Sequence, residues 1–262
     1  MQRYLVLYPY FLRQHLKALL EYRVGFIVGL TGMCLTHAAT LAFIWVIMSQ
    51  LPALNGWTLP QMLLIYGLLC FSRSFAHMFT DNTWGMGFFI RQGEFDRFLV
   101  RPIDPLFHLL ADGFNIDGVG NFLVGGVLVV TAGQALGVFA SLLNIAYLVV
   151  TVVSGAVIFF ALNLISSTSA FWIVDSMPVS ELVFGNYVFA QYPLSIYPRV
   201  IRFLLTWVVP YGFTSFYPAS FLLGRDLGPV VFLGPLVAGA LLLLGYRLWL
   251  AGLIRLLRPK PC

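Results

Sequence analysis

Long apolar stretches alternate along this chain with short polar segments that carry most of its charge. From Gly118 to Val174 there is no Asp, Glu, Lys or Arg. One bilayer crossing takes about 20 apolar residues at 1.5 Å each. This run therefore holds at least two crossings, with Gly133, Gln134 and Gly137 marking the turn between them. The same pattern predicts spans over 24–48, 59–79, 109–132, 141–164 and 228–250. The fold class expected is all-α integral membrane, one transmembrane domain filling 1–262.

Residues 1–23 read as an amphipathic interfacial helix. Leu5, Leu12, Leu16, Leu19 and Leu20 share one face, and Arg3, Arg13, Lys17 and Glu21 the other. Membrane lipid is its partner. Charges recur before the first long apolar run, so no cleavable leader is expected and the first span targets the chain. Gly25 and Gly29 have small-xxx-small spacing, with Gly32 close by, which would let another helix approach. Arg73 and His77 fall near the end of span 59–79, where they can snorkel. Cations cluster at Arg3–Arg23 and again at Arg247, Arg255, Arg258 and Lys260, which puts both termini in the cytoplasm.

Between 170 and 224 the pattern allows two readings. In the first, 170–190 is a span carrying Asp175 and Glu181, and 192–224 dips into the outer leaflet and returns. Pro193, Pro198, Pro210 and Pro218 favour it, because proline-broken pieces suit re-entrant segments buried in protein. In the second, 170–200 is a cytoplasmic loop and 203–222 a full span, which keeps Arg199 and Arg202 inside. Under the first reading Asp175 and Glu181 are candidates for a proton or cation site on a substrate path. Under the second they are loop charges.

Composition narrows the function. The chain is 60% hydrophobic and 10% charged, against about 25% charged in soluble domains. The net charge of +5 comes from residues at span ends rather than from a basic groove, so nucleic acid is not an expected partner. Cys34, Cys70 and Cys262 form no CxxC. His15, His37, His77 and His108 are scattered and no HExxH occurs, so no metal site is expected. The two lysines, Lys17 and Lys260, follow no GxxxxG, and no GxSxG is present. The chain is expected to be no enzyme and to carry no cofactor.

The segment Phe88–Pro105, FFIRQGEFDRFLVRPIDP, mixes apolar and charged residues at helical spacing between two spans. A solvated loop with an interfacial helix would account for the charges. It would not account for Phe95, Phe98 and Leu99 beside Asp96 and Arg97, a mixture that suits a short helix lying in a groove of another protein.

The string G-E-F-D-x-F-L-x-R-P at Gly93–Pro102 resembles the signature between spans 2 and 3 of type-2 ABC transporter permeases. The subgroup it resembles is bacterial and is often encoded as a pair of permeases beside an ATPase. The string YPLSIYPRVIRFLLTWVVPYGFTSFYPASFLLG, Tyr192–Gly224, is similar to the outer segment before the last span in that subgroup.

The resemblance implies the first reading of 170–224, with re-entrant outer helices at 192–224. It implies six spans in the bacterial cytoplasmic (inner) membrane and a coupling region at 86–105. The coupling residues would be Arg91, Gly93, Glu94, Phe95, Asp96, Arg97, Phe98, Leu99, Arg101 and Pro102, with Phe95, Phe98 and Leu99 as the apolar anchor. It implies an ABC ATPase partner in two copies that holds the ATP and Mg, a second permease identical or paralogous, and transport as an exporter. The aromatic content would suit a lipidic or amphipathic cargo, but aromatics also form interface belts. A self-contained secondary transporter using Asp175 or Glu181 is the competing expectation, and a membrane enzyme finds no catalytic constellation.

Overall fold

The computed structural model describes residues 7–14, 17, 23–115, 117–173 and 175–258. Of the expected interfacial helix, residues 7–14 are helical and the remainder lies outside the described residues, apart from Lys17 and Arg23. Lys260 and Cys262 lie outside them as well.

Among the described residues, five helical runs are long and apolar enough to cross a membrane. The first is α1 (Arg23–Gln50). The second is α2 (Leu59–Thr80), prolonged through a tight turn, Asp81–Gly85, into α3 (Met86–Gln92). The third is α6 (Asp117–Ala135), the fourth α7 (Leu142–Thr168) and the fifth α11 (Gly234–Leu257). Between them lie the short helices α4 (Asp96–Leu99), α5 (Pro105–Ala111), α8 (Met177–Gly185), α9 (Arg199–Phe203) and α10 (Phe216–Leu222).

Local chemistry sets the starts and stops. Gln61 Oε1 accepts from the backbone N–H of Thr58 at 3.2 Å and Pro60 occupies the first turn, which opens α2. Asp104 accepts from Phe107 N at 2.9 Å and Pro105 follows it, which opens α5. Gly93, at φ 73°, supplies the left-handed residue that ends α3.

α2 is the central post. Met62, Leu64, Ile65, Leu68 and Leu69 are almost fully buried between α6 and α7. A Cβ on Gly125 would lie 2.5 Å from Phe71 N, and one on Gly67 would lie 2.9 Å from Leu128 Cβ, so α2 and α6 touch backbone to backbone. On α1, by contrast, Gly25 and Gly32 have open space around them. Only 11% of the spanning part of α1 is buried, against 61% for the α2–α3 run.

The bundle has two distinguishable ends. The loop end carries 51–58 and the charged end carries 81–112. The chain from 175 to 195 runs between them. Asp175 meets Arg91 at 3.4 Å at the charged end, and Ser195 accepts from Trp57 Nε1 at 2.9 Å at the loop end. The segment is not one long helix. It is α8 followed by a tight 3-10 stretch, Asn186–Gln191, together about 25 Å by helical rise. From Ser195 the chain descends through α9 to Pro210 and Tyr211, whose ring packs on Phe159 of α7 at 5.0 Å. It then climbs through α10 to Arg225, which donates to Gly56 O at the loop end. The segment 195–225 thus leaves and rejoins the same end.

Two expected elements are corrected. The stretch 109–132 is not a continuous span: the chain breaks at 112–115, and Asp112 caps α5 instead of lying inside a span. The stretch Phe88–Arg101 is not one helix but a hairpin of α3 and α4 turning at Gly93.

Candidate functional site

Two features stand out from lipid-facing packing: the hairpin at the charged end and a polar cleft inside the bundle.

The hairpin has an inner and an outer face. At the turn, Gly93 N donates to Ile90 O at 3.3 Å and Phe95 N to Phe89 O at 3.1 Å. This rolls Phe95 and Phe98 inward, where they are 2% and 0% exposed. Phe95 packs edge-on against Phe171 at 5.8 Å and beside Trp249 at 6.2 Å, so it is wedged between the ends of α7 and α11. Phe98 meets the His108 ring at 4.9 Å. Phe95 and Phe98 are thus not a free anchor for a partner, and that expectation is corrected: they bind the hairpin to its own bundle. Burial of each ring contributes about 1.5–3 kcal/mol. Leu99 is half-buried.

The outer face presents Phe88, Arg91, Glu94, Asp96, Val100, Arg101 and Pro102. Arg97 serves the fold, lying over the Phe89 and Phe98 rings at 4.9 and 4.7 Å and reaching Asp112 at 3.3 Å. Arg101 Nη1 sits 3.1 Å from His108 Nε2. Burial first, and then the Arg101 cation, hold the His108 imidazole below its ordinary pKa, so it accepts that bond as the neutral ring.

The cleft, about 380 Å³, lies between α1, α2, α6 and the stretch after α8. On α2 its lining follows one helical stripe, Tyr66, Cys70, Arg73 and His77, at steps of four, three and four residues. From α1 come Thr36, His37 and Thr40. His37 Nδ1 and Tyr66 Oη are 2.7 Å apart. Asn121 of α6 reaches His77 Nδ1 at 3.3 Å.

Arg73 is the charged residue of the cleft. It lies about 21 Å along α2 from Leu59, and the helical run continues to Gln92. Asp81, where the charged end begins, stands two turns further on, so Arg73 lies towards that end of the span, as its position in the sequence implies. Its guanidinium sits 4.2 Å from the centroid of the Tyr187 ring. A cation–π contact of this kind is worth ~0.5–2 kcal/mol. Asp81, one turn beyond His77, forms no ion pair with Arg73 and is held by His77 at 3.4 Å and Asn115 at 2.8 Å, but its charge acts on Arg73 at longer range.

A second, larger cavity of about 590 Å³ between α2, α5 and α7 is lined by Phe75, Phe79, Val153, Phe160 and similar side chains and offers almost no polar chemistry. Asp175 and Glu181 are not brought together. Asp175 pairs with Arg91 at the charged end, and Glu181 is exposed with no ion pair or hydrogen bond among the described residues. No group of His, Cys, Asp and Glu able to hold a metal occurs among the described residues.

The family model described as ABC-2 family transporter protein matches residues 34–257. The chain belongs to this family. It is the membrane subunit type of an ABC transporter, a multi-pass permease and not itself the ATPase. No curated protein and no solved structure matches it. Of the residues that sequence singled out on the permease, the structure groups those of Gly93–Pro102 in one hairpin. The cleft was missed, although Tyr66, Cys70, Arg73 and His77 stand at helical intervals in the sequence.

Proposed function

We propose that the chain is the permease of an ATP-driven exporter in a bacterial cytoplasmic membrane, worked by a separate ATPase that docks on the hairpin Met86–Arg101. The observation that carries this reading is the two-faced hairpin. Its outer face offers Arg91, Glu94, Asp96 and Arg101 to a partner, while Phe95 joins it to Phe171 and Trp249. A push on the outer face moves the ends of α7 and α11 with it, because packed interiors transmit displacement and do not absorb it. Two ATPase chains, each holding ATP and Mg, would close and open against two permeases. The cavity between the permeases would then switch sides.

The weak burial of α1 supports a second permease, identical or paralogous, or lipid on that face. The return of 195–225 to the loop end supports the re-entrant reading over a full crossing. With 175–195 as the remaining crossing, the chain has six, with both termini in the cytoplasm. The exposure of Glu181 and the pairing of Asp175 with Arg91 give the secondary-transporter alternative no shared carboxylate site.

The test uses Glu94 and Asp96, which are exposed and make no ion pair among the described residues. The double change Glu94→Lys with Asp96→Lys should leave the thermal stability of the permease unchanged. It should weaken co-purification of the ATPase at least roughly tenfold, as truncated charge complementarity does. Unchanged co-purification together with unchanged ATP turnover would reject the hairpin as the docking site.

A further inference from the structure

We propose that the cleft between α1 and α2 binds the oxyanion head group of an amphiphile, a phosphate or carboxylate carried on an apolar tail. Calling the bound molecule cargo rests on the transporter reading above; the binding itself is a property of this chain alone.

The charge of the lining sets the sign of the ligand. Arg73 is accompanied by His37 and His77, and no carboxylate lines the cleft. Arg73 makes no ion pair among the described residues, and Asp81, whose charge reaches it only at longer range, lies outside the cleft lining and is held by His77 and Asn115. A guanidinium without a paired carboxylate in its cleft calls for an anion, and its planar fork matches a carboxylate or phosphate in particular. The second observation is Gln191. It is 7% exposed, lines the cleft, and makes no hydrogen bond among the described residues. Its amide is not among the buried unpaired groups and so is open to the cleft, where an oxyanion beside Arg73 would accept from it.

The shape of the opening adds the tail. Gly32 and Thr36 are exposed on α1 where the cleft reaches the surface. The neighbouring surface of α1 is apolar, with Ile27, Val28 and Leu35 more than half exposed. A molecule entering from the membrane would leave its head at Arg73 and its tail along this face. A free inorganic ion has nothing to place there.

The experiment is equilibrium binding of radiolabelled dodecyl phosphate to the purified full chain in phosphatidylcholine nanodiscs, with empty nanodiscs subtracted. Saturable binding at one site per chain is expected. Arg73→Gln should weaken it at least roughly tenfold, the loss expected for charge-assisted hydrogen bonds to one guanidinium. Arg73→Lys, which keeps the charge without the planar fork, should bind more tightly than Arg73→Gln and less tightly than the parent chain, which separates lost charge from lost fold. Gln191→Leu should weaken it severalfold at unchanged thermal stability. Dodecyltrimethylammonium should not compete, and inorganic phosphate should compete far more weakly than unlabelled dodecyl phosphate. Binding no greater than in empty nanodiscs, or equal in Arg73→Gln and the parent chain, would overturn the proposal. Equal competition by inorganic phosphate would overturn the amphiphile in favour of the free ion. Failure here with ATPase co-purification intact would leave the transporter reading standing. Binding without any ATPase partner would do the reverse.

Discussion

The indole N–H of Trp57 donates to Ser195 Oγ at 2.9 Å, and Arg225 lies 3.8 Å from the centroid of the same indole. One fully buried tryptophan thus holds both feet of the 195–225 segment at one end of the bundle. A full crossing would have put those feet about 30 Å apart.

Single cysteines in place of Arg199 and Asp226, both exposed, should therefore react with a membrane-impermeant maleimide from the same side of intact cells, and from the side that labels Asn55. Labelling of one from outside and the other only after permeabilisation would show that the segment crosses. Trp57→Leu removes the indole donor and the cation–π platform and should loosen both feet together, raising proteolysis near 195–200 and 224–228.

The spans were legible because apolar length is a property of sequence alone, independent of what each side chain touches. The hairpin was legible as a place but not as a geometry. Phe95, Phe98 and Leu99 have the spacing of an anchor whether they point outward or inward, and only Phe171 and Trp249, distant in sequence by 76 and 154 residues from Phe95, decide which. Arg73 was legible as a cation near a span end, but not as part of a cleft, because its neighbours there come from α1, α6 and the stretch after α8. The stripe Tyr66, Cys70, Arg73, His77 carried the signal at intervals of four, three and four. The break at 112–115 followed from Asp112 and Gly113, which an apolar average conceals.

Phe95→Ala should act on stability before it acts on docking. Truncating a buried phenylalanine costs about 3–5 kcal/mol, and Phe95 touches Phe98, so the double variant with Phe98→Ala should fall short of the sum. Thermal unfolding in detergent should show a lowered midpoint for either single variant with no ATPase present. An unshifted midpoint would mean that the rings do not carry the hairpin.

Acidification should loosen the hairpin through His108. The groups facing it are Arg101, Arg97, Asp112 and the Phe98 ring. The fold holds the ring below its ordinary value of 6.5. The unfolded chain therefore binds the proton more readily between the depressed value and 6.5. The stability so gained is complete above 6.5 and is lost as pH falls towards the depressed value. Hydrogen exchange at 93–100, corrected for intrinsic rates, should be faster at about pH 5.5 than at about pH 7.5. In His108→Gln this difference should vanish.

The neighbouring glycines of α6 give the sharpest packing test. At Gly125 an added Cβ would lie 2.5 Å from Phe71 N and 2.8 Å from Phe71 Cα, so α2 and α6 would have to separate. At Gly126 it would meet only the Phe71 ring edge, 3.7 Å away, an ordinary contact. Both positions are helical, so both substitutions gain about 0.5–1 kcal/mol of backbone propensity. Overpacking costs about 1–3 kcal/mol where the neighbour cannot yield, and a backbone cannot yield as a side chain can. Gly125→Ala should therefore lower the thermal midpoint, while Gly126→Ala leaves it unchanged or raises it. Because Asn121 of α6 contacts His77 across the cleft, the Gly125→Ala displacement should also weaken dodecyl phosphate binding, and Gly126→Ala should not. Equal behaviour of the two variants would mean that α2 and α6 are not in backbone contact at Phe71.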